Sequence, residues 1–191
     1  MFQTRIHGRG GQGVVTAAEL LSVAAFMDGL HAQAFPSFGS ERTGAPVVSF
    51  ARFDSKPIRL REPIEEPDAV IVQDPTLIQA NLFSGVRPDA FIIINSKKPW
   101  EELVEHVAGV KLANRHFTVP ATELALQFIG KPLPNAALLG AFAAATNQVK
   151  LESVLAAIAD RFPSKVALAN QQAAQAAHDS VIEQLKAVLN A

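Results

Sequence analysis

Apolar and polar positions change period several times along the chain, and each change marks an element. Residues 2–7 form a short extended run that passes directly into Gly8-Arg9-Gly10-Gly11-Gln12-Gly13. Over 11–27 the period becomes helical, with Val14, Val15, Ala18, Leu20, Leu21 and Ala25 giving a broad apolar face. Gly29 stands where a glycine closes a helix. Residues 30–35 read as a second strand, so the chain opens with a βαβ unit, expected to have parallel strands and a right-handed crossover.

Residues 36–46 are too polar and too rich in Gly and Pro for an element interior. Over 47–53 the pattern alternates, with Val48, Phe50 and Arg52 on one face, which predicts a half-exposed strand. After the turn Asp54-Ser55-Lys56, residues 57–60 are expected to return beside it as a hairpin. A short buried strand is expected at 69–73 and a brief helix at 76–82. The unbroken apolar run at 90–94 predicts a central parallel strand covered on both faces. A helix at 100–107, a last strand at 115–119 and a helix at 121–129, opened by Pro120, follow. Beyond Gly130 a Pro-containing linker leads to three Ala-rich helical stretches at 135–147, 152–161 and 166–189. The whole predicts a three-layer, Rossmann-like α/β domain with a mostly parallel, mixed sheet. It is read as one domain over 1–191, with an α/β core at 1–130 and C-terminal helices at 131–191 packed on it.

Composition narrows the function classes. The 191 residues are 49% apolar and 18% charged, an ordinary globular balance. A net charge of −1 supplies no bulk field for nucleic acid or an anionic membrane. The chain has no cysteine, which excludes disulfides, a cysteine nucleophile and iron–sulfur ligation by this chain. No leader is read ahead of the first strand and no apolar run approaches the ~20 residues of a membrane span, so a cytoplasmic protein is expected. The five histidines are scattered and no metal site is expected.

The candidate chemistry sits in the glycine loop. Gly8, Gly10 and Gly13 have G-x-G-x-x-G spacing, with Gly11 as a fourth glycine. A strand–glycine loop–helix unit leaves backbone N–H groups at a helix N-terminus, where they and the helix dipole favour an anion such as a phosphate. Four readings stay open: a dinucleotide site, a phosphate or other polar ligand, a partner subunit's cofactor, and a turn that only packs helix on strand. The dinucleotide fingerprint also needs an acid at the end of the second strand. That strand ends in Gln33-Ala34-Phe35-Pro36, and Asp28, near the required count, precedes it. The segment carrying Ser37, Glu41, Arg42 and Gly44 is expected to leave the sheet beside the loop. His7 and His31 lie near it as weak candidates for a general base. No nucleophile elbow, Walker loop or metal motif is present.

The run from Arg5 to Leu21, which contains the loop, and the run Ala34-Phe35-Pro36-Ser37-Phe38-Gly39-Ser40-Glu41-Arg42-Thr43-Gly44-Ala45-Pro46-Val47 together resemble the gamma subunit of the pyruvate:ferredoxin (2-oxoacid:acceptor) oxidoreductases. Lys56-Pro57-Ile58-Arg59, Gln73-Asp74-Pro75-Thr76-Leu77, Pro134-Asn135 and Leu139-Gly140-Ala141 extend the resemblance over nearly the whole chain. It departs at Ser40, where proline is common, and at Thr43, where a basic or glycine residue often stands.

The resemblance implies a complex that oxidatively decarboxylates a 2-oxoacid on thiamine diphosphate with Mg2+. Electrons leave through 4Fe-4S clusters and the acyl group goes to coenzyme A. Alpha and beta subunits would hold the thiamine diphosphate and a ferredoxin-like delta subunit the clusters, with FAD or NAD possible in an attached subunit. Pyruvate is the first expectation for the substrate, with aromatic 2-oxoacids such as phenylglyoxylate or indolepyruvate as alternatives. The gamma chain would be non-catalytic alone, covering the active site and helping to bind coenzyme A. Carried over by motif, the site is Gly8, Arg9, Gly10, Gly11, Gln12, Gly13, Ser37, Glu41, Arg42 and Gly44. A purely structural assembly subunit and a stand-alone Rossmann-type dinucleotide-binding protein are the competing readings.

Overall fold

A computed structural model describes residues 1–37, 43–105, 107 and 115–189. A six-stranded sheet has the order β2-β3-β1-β4-β5-β6, from β1 (Phe2–Arg9), β2 (His31–Pro36), β3 (Pro46–Asp54), β4 (Ala69–Val72), β5 (Phe91–Asn95) and β6 (His116–Val119). The pairings β1·β4, β4·β5 and β5·β6 are parallel, and β1·β3 and β2·β3 are antiparallel. The sheet is mixed, and the α/β fold with a helical C-terminal part is as expected.

The opening unit differs from expectation in one respect. β1 and β2 run the same way, but β3 lies between them, with Gly8 opposite Val47 on one side and Phe35 opposite Phe50 on the other. This corrects two further expectations. Strand β3 is buried over Ser49–Phe53 rather than half exposed: Ala51 and Phe53 pack into the core shared with the helices, and on the other face Arg52 lies over the Phe35 ring. The hairpin at 57–60 does not form. No free edge of β3 remains to receive it, Pro57 has no N–H to donate, and the segment is mostly exposed.

Helices α1 (Val14–Met27), α3 (Ala121–Phe128), α4 (Asn135–Thr146), α5 (Leu151–Arg161) and α6 (Ser164–Leu189) share one core. It joins Ile6, Phe53, Ile71 and Ile93 of the sheet to Leu21, Leu139, Phe142 and Val181 of the helices. Helix α4 is buried on nearly every side, which its Ala-rich sequence permits. Against α6 the approach is so close that a Cβ on Gly140 would lie 1.9 Å from the carbonyl oxygen of Ala174. Phe2, Phe53 and Phe142 close this core as an aromatic triple, with centroids 5.4 to 6.3 Å apart.

The opposite face of the sheet has a thinner cover. Val70, Val72, Ile92 and Ile94 pack under Ile78, Leu82, Leu103 and Val107. The helix expected at 76–82 is instead two 3-10 turns, Pro75–Leu77 and Ala80–Phe83, and α2 (Trp100–Val104) is a short stretch of the helix expected at 100–107. Among the described residues no helix is long and apolar enough to cross a membrane.

Candidate functional site

The carboxyl ends of the parallel strands gather at one edge, the position where open α/β sheets bind ligands. Strand β1 delivers the glycine loop there, β4 delivers Gln73 to Thr76, and β5 delivers Asn95. Asn95 ties these ends together. Its Nδ2 donates to the Gln73 carbonyl (2.8 Å) and to Thr122 Oγ1 (2.7 Å), while Oδ1 accepts from the Thr122 amide (2.9 Å).

The loop itself is set by glycine backbone angles. Gly11 and Gly13 have φ of +94° and +75°, in the left-handed region that L side chains rarely adopt. Helix α1 therefore starts at Val14 rather than at the expected residue 11, with Gly13 as its N-cap and no capping side chain. The first-turn amides of such a helix have no intrahelical acceptors, and here they belong to Val14, Val15 and Thr16. A cleft of about 310 Å³ lies over them, bordered by Arg9, Gly10, Gly11 and Gly13.

Two of the glycines also stand close to a neighbouring side chain. A Cβ on Gly8 would lie 2.6 Å from Val14 Cγ2, and one on Gly13 would lie 2.8 Å from Asn135 Nδ2. Gly8 is thus needed for the packing of helix on strand, as in the packing-turn reading. The segment before β3 is joined to the loop by two backbone bonds, Gly10 N–H to Ala45 O (2.9 Å) and Gly44 N–H to Gly10 O (3.0 Å).

A carboxylate that the sequence reading passed over organises the rest. Arg9 Nε donates to Asp74 Oδ2 (3.0 Å), Nη1 to the Gly44 carbonyl (3.1 Å) and Nη2 to Thr76 Oγ1 (2.8 Å). Gln12 Nε2 also donates to Asp74 Oδ2 (3.0 Å), and Gln12 Oε1 accepts from the Arg9 amide (2.7 Å). On the other oxygen, Asp74 Oδ1 accepts from the amide (3.0 Å) and the hydroxyl (2.6 Å) of Thr76. Partial burial alone would raise the Asp74 carboxyl. The hydrogen bonds from Thr76 and Gln12, with the charge of Arg9, outweigh it and hold the group below the ordinary carboxylate value. The signal for Asp74 was its place directly after an apolar strand, in Asp-Pro-Thr, where an Asp caps the following turn.

The expected site residues separate into three groups. Gly8, Arg9, Gly10, Gly11, Gln12, Gly13 and Gly44 come together. Ser37 does not join them: it is exposed and bonds through its amide to Val48 O (2.8 Å), with β3 between it and β1. Glu41 and Arg42 lie outside the described residues, as does His106.

Asp28 is far from the loop, at the other end of α1. Its carboxylate accepts from Lys150 N (2.7 Å) and Ser153 Oγ (2.7 Å), where it caps α5. The one acid near the dinucleotide count is therefore in structural use. His7 lines a second cleft, of about 430 Å³, which Arg9 also borders. Burial, reinforced by the charge of Arg5, pushes its imidazole down to about 4, so it is neutral near pH 7 and a weak base. His31 sits on the edge strand β2 and is exposed. No cluster of His, Cys, Asp and Glu suited to a metal occurs among the described residues.

Comparison with known proteins agrees with this architecture. Residues 3–180 match the family described as pyruvate ferredoxin/flavodoxin oxidoreductase. The chain is 46% identical over 180 residues, covering 94% of it and 96% of the relative, to the pyruvate/ketoisovalerate oxidoreductases common subunit gamma of Pyrococcus furiosus. It is 52% identical over 159 residues, 83% of this chain and 85% of the relative, to pyruvate synthase subunit PorC of Methanosarcina barkeri. The crystal structure of pyruvate oxidoreductase subunit PORC from Thermotoga maritima superposes with a TM-score of 0.83 at 35% identity, over 94% of this chain and 96% of that one. The chain therefore belongs to the pyruvate ferredoxin/flavodoxin oxidoreductase family, as a gamma-type (PorC) subunit of a 2-oxoacid oxidoreductase complex.

Proposed function

We propose that this subunit covers the active site of its complex and holds a phosphate of coenzyme A at the glycine loop. The observation that carries the reading is the uncapped N-terminus of α1, opened by Gly11 and Gly13 beneath a cleft that Arg9 borders. Backbone N–H groups and a helix dipole aimed at one cleft suit an anion. Arg9 is held at its edge and retains one further N–H on each of Nη1 and Nη2 beyond those given to Gly44 and Thr76. Those two donors suit end-on pairing with a phosphate. Arg42 is proposed as a second cation, fixed by Glu41. Ser37, at the far side of β3, belongs on this reading to the covering surface rather than to the phosphate contacts.

The complex would convert a 2-oxoacid to acyl-coenzyme A in the cytoplasm, with pyruvate as the first substrate to test. Alpha and beta subunits would carry thiamine diphosphate and Mg2+, and a delta subunit the 4Fe-4S clusters. The Pyrococcus furiosus relative is named as common to pyruvate and ketoisovalerate oxidoreductases. By that analogy the choice of 2-oxoacid lies in other subunits.

The test is the coenzyme A KM of the assembled complex carrying Arg9→Ala. The expected result is a rise of roughly tenfold, the equivalent of about 1.4 kcal/mol. An unchanged KM would refute the reading. It would favour a purely structural subunit, the alternative supported by the packing roles of Gly8 and Gly13 and by the internal partners of Arg9.

A further inference from the structure

We propose that Asp74 is the positioning residue of this site: one partly buried carboxylate fixes Arg9, Gln12 and Thr76 together, and through them sets both the glycine loop and the backbone at Gly44. The inference rests on the reading of the loop as a coenzyme A phosphate site.

Among the described residues, Asp74 is the carboxylate whose geometry fits this role. Its Oδ2 receives two side chains that come from opposite ends of the loop, Arg9 from the last position of β1 and Gln12 from just before α1. Because Gln12 also accepts from the Arg9 amide, the loop is closed on itself and anchored to β4 at one point. The other oxygen holds the amide and hydroxyl of Thr76. Thr76 Oγ1 donates to Asp74 and accepts from Arg9 Nη2, so the guanidinium plane is fixed from two directions. Its third bond, from Nη1 to the Gly44 carbonyl, carries the same constraint to the segment before β3.

A guanidinium on a flexible stem loses side-chain freedom when it binds an anion, and one already held loses less. Asp74 thus touches no ligand and acts through Arg9, by orienting the two N–H groups left for it. Its negative charge matters as well as its shape. Asparagine at 74 offers one acceptor and one donor group. If its oxygen faces Thr76, its NH2 faces the donors Arg9 Nε and Gln12 Nε2, and if it flips, its NH2 faces the Thr76 amide, another donor.

The experiment uses the assembled complex with coenzyme A as the varied substrate, and compares Arg9→Ala, Asp74→Asn, the double variant and Thr76→Val. The expected outcome is a coenzyme A KM raised roughly tenfold in each of the first two, as for loss of about 1.4 kcal/mol. The change falls in the coenzyme A KM: kcat at saturating coenzyme A and the KM of the 2-oxoacid move far less. The double variant is no worse than the worse single one, as for residues that act as a unit. Thr76→Val changes an exposed side chain and keeps the amide that donates to Asp74, so it keeps the test open if Asp74→Asn fails to assemble; it removes two hydrogen bonds, to Asp74 and from Arg9 Nη2, and a rise of roughly fivefold is expected.

An unchanged KM in Asp74→Asn or Thr76→Val alongside a raised one in Arg9→Ala would overturn the positioning role and leave the phosphate reading standing. Additive effects in the double variant would overturn it too, since Asp74 would then act independently of Arg9. An unchanged KM in Arg9→Ala would overturn both.

Discussion

Gly11 and Gly13 both have positive φ but different surroundings, and alanine at each separates two physical effects. At Gly11 no atom lies within 4 Å of the position a Cβ would take. Alanine there carries only the left-handed backbone term, about 1 kcal/mol. At Gly13 the added methyl would meet Asn135 Nδ2 at 2.8 Å, on a side chain only 6% exposed at the start of buried α4. Overpacking of that kind adds about 2 kcal/mol, for a total of about 3 kcal/mol. In a chain of this size each 1 kcal/mol moves Tm by about 3 °C, so Gly11→Ala should lower it by about 3 °C and Gly13→Ala by about 9 °C. Thermal unfolding followed by circular dichroism reads both. Equal shifts, or a milder Gly13→Ala, would refute the claim that Gly13 is held by contact with Asn135 as well as by its φ.

Two further outcomes follow from the packing and charge. Gly140→Ala should lower Tm although alanine is the better helix former, by roughly 6 °C for about 2 kcal/mol net, because its methyl would run into the Ala174 backbone; a raised Tm would contradict the α4–α6 contact. His7 binds its proton less readily folded than unfolded. As pH falls from about 6.5 toward about 4, the unfolded chain takes up the proton first and the fold loses up to about 3 kcal/mol; urea unfolding of His7→Gln should lack that slope, and an unaltered slope would refute the burial argument.

Much of the fold was legible because it is local. The strand, glycine loop and helix at the N-terminus follow from adjacent residues, and the 90–94 run announces a strand covered on both faces, seen as β5 buried over Ile92–Asn95. The place of β3 was not legible. Nothing in its alternation says that it pairs with β1 and β2 at once, because strand order depends on partners distant in sequence. The expected hairpin failed for the same reason: β3 had no edge left. Within the site, the glycine spacing located the loop, but not the different jobs of its members. Gly8 serves packing against Val14, whereas Gly11 and Gly13 set the backbone of the helix entry. Arg9 was legible as a cation beside the loop. Its anchor was not, since Asp74 lies on another strand and meets Arg9 only because β4 runs parallel to β1. Asp28 shows the converse: an acid at nearly the dinucleotide count is occupied in capping α5 at the far end of α1.

The most direct test of the central claim, a coenzyme A phosphate at the head of α1, is hydrogen exchange of the assembled complex with and without coenzyme A. The account predicts slowed exchange in the peptide that spans Gly10 to Thr16, with Arg9→Ala weakening that protection. Protection elsewhere in the complex with no change over Gly10 to Thr16 would contradict it.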